Sequence, residues 1–185
     1  MTSSTMRTNN PHEQHSGTNP KILLWIGAAL LAAFLVSRFI VSGCRVVGPS
    51  MEPALSENSW VLLGRSCRWG ASPARGDIIV FEKPQVTRGS IVKRVVAVPG
   101  DTVEIRAGTL FLNGAAVKEE RISMSRQERM APCTVPQDGY FVLGDNRGES
   151  SDSRHWQDAF VKREEIQGKV LCEIFPKPSG LENWP

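Results

Sequence analysis

From Ile22 to Val36 every position of the chain is apolar or glycine. After Ser37 and Arg38 the run resumes with Phe39-Ile40-Val41. Taken to Val41, it reaches the roughly 20 residues a helix needs to cross a bilayer. Arg38 lies near one end, where its long stem can snorkel to the headgroups. Trp25 lies near the other, suited to the interfacial belt. The pattern predicts one transmembrane helix, an anchor over residues 21–42. Residues 1–20 hold almost nothing that packs and read as a disordered tail. A cleaved secretory signal would have a shorter apolar stretch and a well-placed small-x-small site, which is missing. Val41-Ser42-Gly43-Cys44 resembles a lipobox with Cys44 as the lipidated residue. Against lipidation stand the long polar lead-in and Arg38 inside the run. Arg7 and Lys21 precede the apolar run and Arg45 follows it, a mild bias toward an N-terminus inside.

Beyond Cys44 the texture changes to short β-rich runs punctuated by Gly and Pro. Val61-Leu62-Leu63, Ile78 to Phe81, Ile91 to Val98 and Thr102 to Arg106 read as strands. So do Thr109 to Leu112, Tyr140 to Leu143 and Lys169 to Ile174. Asn113-Gly114 between two such runs signals a hairpin, because both residues tolerate positive φ. Pro99-Gly100 marks another tight turn. Helical periodicity is confined to a turn near Lys162–Glu165. Residues 45–185 are therefore expected to form one mainly β, antiparallel domain behind a single N-terminal transmembrane helix. Lys118 to Pro132 reads as a mobile insertion.

Composition narrows the class. The 185 residues are 41% hydrophobic and 22% charged, which excludes collagen-like, disulfide-scaffold and wholly disordered chains. The net charge of +3 comes without a Lys/Arg cluster, so no nucleic-acid partner is expected. Cys44, Cys67, Cys133 and Cys172 show no Cys-x-x-Cys spacing, and His155 is the one histidine beyond the apolar run. Neither a metal site nor a cofactor is expected. In an oxidising compartment Cys67 and Cys133 form a candidate pair. As small buried hydrophobes they would equally make sense.

Two kinds of base are available. A Ser-His-Asp triad would need His155 with Asp152 only three positions away, an awkward geometry for one loop. A lysine base must be desolvated to be neutral at working pH. Lys93 stands in a very apolar strand, and alternation puts it and Arg94 on opposite faces. One of the two must face the core or a cleft.

Four motifs then occur in order. They are Gly48-Pro49-Ser50-Met51-Glu52-Pro53, Arg75 to Phe81, Val92-Lys93-Arg94 through Asp101, and Gly144-Asp145-Asn146-Arg147-Gly148-Glu149-Ser150-Ser151-Asp152-Ser153-Arg154-His155-Trp156. Behind an apolar N-terminal helix this series resembles the bacterial type I signal peptidases over roughly residues 22–175. The resemblance implies Ser50 as nucleophile, Lys93 as general base and Ser150 as the hydroxyl that orients the lysine. It implies one oxyanion donor at the Ser50 N–H, and a brace of Asp152 and Arg154 around the Ser150 loop, shared by Asp145. Met51 is implied near the substrate pocket. Asp77 and Asp101 follow glycines and are expected to fix turns. His155 occupies a position usually held by an aromatic, which makes it scaffold, and Trp156 reads as packing. Ala54 replaces the usual Thr after the motif's Pro. Gly48 stands where one branch has a Ser oxyanion donor, and Gln157 where Gly usually follows the Trp.

A serine a few residues past the helix end lies close to the membrane surface, at the height of a tethered preprotein's cleavage site. The resemblance implies removal of signal peptides from secretory preproteins after a small-x-small site. It places the catalytic domain on the extracytoplasmic face of the plasma membrane, single-pass and monomeric, with the lipid bilayer as partner. Three other readings differ in substrate or chemistry. A self-cleaving Ser-Lys repressor would carry a DNA-binding helical module, and this chain shows none. A pilin-maturation peptidase would act on one substrate, and a membrane-tethered peptide-binding module would not cut at all.

Overall fold

The structure is a computed structural model that describes residues 19–39, 41–65, 67, 70–119 and 125–175, the side chains of 36–39 excepted. Two compact units emerge, residues 1–35 and 36–185. The expected tail lies, up to residue 18, outside the described residues.

In the first unit, helix α1 (Pro20–Phe39) follows from the apolar run. Pro20 opens it, where a missing N–H costs nothing. Every described side chain from Lys21 to Leu35 is exposed. Among the described residues no helix is long and apolar enough to cross a membrane. Ser37 and Arg38 interrupt the apolar run near the end of α1. The chain is already extended at Val41, where β1 (Val41–Arg45) begins.

The second unit is built of antiparallel strands. After β1 come β2 (Trp60–Gly64), β3 (Ile78–Glu82), β4 (Ser90–Ala97), β5 (Thr102–Arg106) and β6 (Thr109–Leu112). They are followed by β7 (Ala115–Ala116), β8 (Met130–Thr134), β9 (Gly139–Leu143), β10 (Phe160–Lys162) and β11 (Ile166–Phe175). A seven-stranded sheet has the order β1-β2-β11-β3-β4-β9-β10, and a four-stranded sheet the order β7-β6-β5-β8.

The continuous apolar runs of β3 and β4 are explained by burial on both faces of the large sheet. Ile78 and Val80 join one cluster with Val46, Met51, Leu55 and Val61. Ile79 and Phe81 join another with Val95, Tyr140 and Val142. A third cluster, including Val96, Phe141, Val103 and Leu110, joins the large sheet to the small one. Each fully buried side chain of this kind contributes about 1.5–3 kcal/mol, so β4 and β9 are held firmly at the centre.

The hairpin expected at Asn113-Gly114 forms, with φ of 51 and 82 in a two-residue loop between β6 and β7. The expected turn near Lys162–Glu165 is a 3-10 turn over Arg163–Glu165. Asp101 fixes the Pro99-Gly100 turn by accepting from Val98 N at 2.9 Å, and it also accepts from Arg75 and Asn113. Asp77 accepts from Ala74 N at 2.9 Å.

Residues 118–132 differ from expectation. Met130 to Pro132 begin β8, an edge strand where Pro132 removes no ladder bond that the sheet needs. Glu119 is held by a buried ion pair, and residues 120–124 lie outside the described residues. The four cysteines are free thiols. Cys67 and Cys133 belong to different clusters, so they do not form the disulfide considered above. Cys44 is half-buried within β1 against the Met51 cluster.

Candidate active site

Ser50 sits on the loop between β1 and β2, at the start of a short helical turn. Glu52 N donates to Pro49 O at 3.0 Å, and Leu55 N to Met51 O at 2.9 Å. That turn points Met51 and Leu55, four residues apart, into the core, and both are fully buried. The apolar pair anchors the turn and so fixes where Ser50 points. Met51, which the resemblance implies near the substrate pocket, is fully buried in the cluster with Val46, Leu55 and Val61.

Lys93 comes from the middle of β4, opposite Ile79 of β3. Its side chain is only 4% exposed, and its Nζ lies 2.6 Å from Ser50 Oγ, to which it donates. Burial pulls the ammonium from an ordinary 10.5 down to about 8. Asp152 and Asp145 oppose that fall by their charge, and Arg154 adds slightly to it. Such a lysine is neutral in roughly one molecule in ten at pH 7, against fewer than one in a thousand for an exposed one.

Arg94, on the other face of β4, is equally buried. The choice left open by alternation therefore has both answers, since each face of β4 is covered. Arg94 donates to Asp145 Oδ1 at 2.8 Å and Oδ2 at 2.6 Å, and to Gly76 O at 2.8 Å. Asp145 thus ties the end of β9 to β4, beside Lys93.

The loop after β9 closes the site. Asn146 N donates to Ser50 O at 3.1 Å, and Asn146 Nδ2 to Pro49 O at 3.3 Å. Arg154 braces the loop by donating through Nε to Asp152 Oδ1 (2.8 Å) and through Nη2 to Arg147 O (2.8 Å). Asp152 in turn accepts from Gly144 N at 3.0 Å. Burial pushes the Asp152 carboxyl up, but Arg154 and the Gly144 N–H more than reverse this and hold it below its ordinary value. Ser150 Oγ adds a weak pull on Asp152, yet it has no partner in hydrogen-bond geometry and is buried. A buried hydroxyl without a hydrogen-bond partner is costly to the fold.

Gly144 was quoted above only as part of a motif, but space makes it essential. A Cβ there would stand 2.2 Å from Ser150 Oγ and 2.5 Å from Ser50 O. Arg147 and Glu119 were also missed as a pair. His155 does not join Ser50 and Lys93: it is exposed, 3.9 Å from Glu128 and 3.8 Å from Asp152. Trp156 meets Phe81 edge-on at 6.0 Å, as packing. Among the described residues no cluster of side chains is suited to a metal ion.

A serine hydroxyl against a desolvated lysine, with a hydroxyl and a braced loop behind, is equipped for acyl transfer. The chain is similar to several known proteins. The chain is 35% identical over 168 residues to signal peptidase I P of Bacillus subtilis subsp. natto, covering 84% of this chain and 89% of that one. It is 32% identical over 178 residues to signal peptidase I of Bacillus licheniformis, covering 88% and 95%. A crystal structure of a signal peptidase I from Enterococcus faecalis V583 matches at 35% identity and a TM-score of 0.45, over 54% of this chain and 97% of that one. The family model for signal peptidase, peptidase S26, matches residues 20–175, a stretch that takes in the Ser50 loop, the Lys93 strand and the Ser150 loop together. The chain belongs to that family.

Proposed function

We propose that this protein is a membrane-bound serine endopeptidase that removes N-terminal signal peptides from exported preproteins after a small-x-small site. The observation that carries the reading is the 2.6 Å contact between Lys93 Nζ and Ser50 Oγ, made by a lysine whose charge burial disfavours.

In the proposed reaction neutral Lys93 takes the Ser50 proton as Oγ attacks the scissile carbonyl. The ammonium so formed gives that proton to the leaving amine, and the signal peptide's carboxyl end stays on Ser50 as an ester. A water, deprotonated by the same lysine, then hydrolyses the ester. Ser150 orients Lys93, and the Ser50 N–H stabilises the oxyanion. Asp145, Asp152 and Arg154 hold the loop that presents Ser150.

Helix α1 is assigned as a single-pass anchor in the plasma membrane, with the β domain on the extracytoplasmic face. A helix that is apolar all round, with its large side chains exposed, needs an apolar surrounding. Trp25 and Leu24 are 74% and 71% exposed. The same reading makes secretory preproteins and the lipid bilayer its partners and leaves the enzyme monomeric.

The test is a preprotein with an Ala-x-Ala site, offered to the full chain in detergent. The mature product is expected to begin directly after the second Ala. A bulky residue at that second Ala is expected to lower kcat/KM roughly 100-fold or more, since a pocket for a small side chain has no room for it. Cleavage at other bonds, or indifference to that residue, would overturn the proposal.

A further inference from the structure

The four motifs leave out Glu119, which lies just beyond β7 in the small sheet's excursion. Its carboxylate nevertheless meets the catalytic loop. Arg147 donates to it through Nη1 at 2.8 Å and through Nη2 to the second oxygen, a two-bond contact that locks orientation as well as distance. Both side chains are buried, at 1% and 8% exposure. The same guanidinium donates through Nε to Gly144 O at 2.9 Å. Arg147 O, for its part, accepts from Arg154, the residue that braces Asp152.

Gly144 is the point at which this grip matters. Its N–H is held by Asp152, its C=O by Arg147, and a Cβ added to it would collide with both Ser150 Oγ and Ser50 O. A buried guanidinium stripped of its counter-ion seeks solvent or another acceptor. In moving it would release the Gly144 carbonyl, and the peptide that sets the Ser50–Ser150 spacing would drift. A second carboxylate beyond the excursion, Glu128, approaches Arg154 Nη1 at 3.4 Å. It is 26% exposed, and solvent weakens the contact.

We infer that Glu119 is a positioning residue for the reaction: through Arg147 it fixes the Gly144 backbone against which Ser50 and Ser150 are set. The inference rests on the reading of Ser50 and Lys93 as the reacting pair. The Glu119 carboxylate is buried against Arg147, so the loss should fall on kcat and leave KM nearly unchanged.

The experiment measures kcat and KM on the Ala-x-Ala preprotein for the full-length wild type, Glu119→Gln, Glu119→Ala, Glu119→Asp and Glu128→Gln. Thermal unfolding identifies a temperature at which each is fully folded. Glu119→Gln is expected to lower kcat roughly 10-fold and Glu119→Ala roughly 100-fold, the scale of a 1 Å misplacement. Glu119→Asp keeps the charge and should recover part of that loss, while Glu128→Gln should stay within about twofold of wild type. If Glu119→Ala does not fold, the isosteric Glu119→Gln decides. A kcat within twofold of wild type for folded Glu119→Gln, or a loss confined to KM, would overturn the inference. Cleavage that survives Ser50→Ala would instead overturn the reading of the reacting pair on which it rests.

Discussion

Lys93→Met is expected to lower kcat/KM by roughly 10^4-fold, the upper range for removal of a general base, while leaving the protein more stable at pH 7. Methionine matches the buried stem of lysine in volume and reach but cannot accept the Ser50 proton. The stability gain follows from the pKa. Lys93 holds its proton up to about pH 8 when folded and up to 10.5 when unfolded. Between those values the unfolded chain binds the extra proton, so stability rises with pH across that window. Below about pH 8 the full cost of the buried charge is in place, of order 3 kcal/mol at 1.36 kcal/mol per pH unit. Lys93→Met escapes that cost, so denaturant or thermal unfolding at pH 7 should show a gain. A variant that is both inactive and stabler separates chemistry from folding. Ser50→Ala is expected to lose at least as much rate, since it removes the hydroxyl proposed as nucleophile. Retention of more than a tenth of wild-type kcat/KM by either variant would refute their assigned roles.

Gly144→Ala is expected to cost roughly 100-fold in kcat and about 1–3 kcal/mol of stability. The new methyl would lie 2.5 Å from Ser50 O, a backbone atom, as well as 2.2 Å from Ser150 Oγ. No side-chain rotation relieves a clash with backbone. The loop must retreat from Ser50, taking Ser150 with it and loosening the Gly144 N–H bond to Asp152. Steady-state kinetics with urea unfolding of the same protein would measure both effects. Unchanged kcat would mean that the loop can shift without disturbing the site.

Several strands were legible because their side chains do what periodicity requires. β3 reads as an unbroken apolar run because both of its faces are covered, and β6 because the Asn113-Gly114 turn closes its far end. β1 was not legible: Val41 continues the apolar run of α1, and hydrophobicity alone does not mark where helix ends and strand begins. β7 has two alanines and no pattern to show. β8 was obscured by Pro132, a residue that argues against a central strand but is tolerated at the edge where β8 lies.

The site divides in the same way. Ser50, Lys93, Asp145, Ser150, Asp152 and Arg154 stand in contiguous motifs, so their order along the chain carried them. Arg147 was in view within a motif, but its partner Glu119 is a single acidic residue in a polar stretch. Only the fold, which brings the β7 end beside the catalytic loop, supplies that pairing.

The pH dependence of kcat/KM tests the Ser50–Lys93 assignment most directly, because it reports the essential groups of the free enzyme. Wild type should gain roughly tenfold per pH unit below about 8 and level off above it, as Lys93 loses its proton. A profile that is flat from pH 6 to 9, or that levels off near 6.5 as an ordinary histidine would make it, contradicts a lysine base at Ser50.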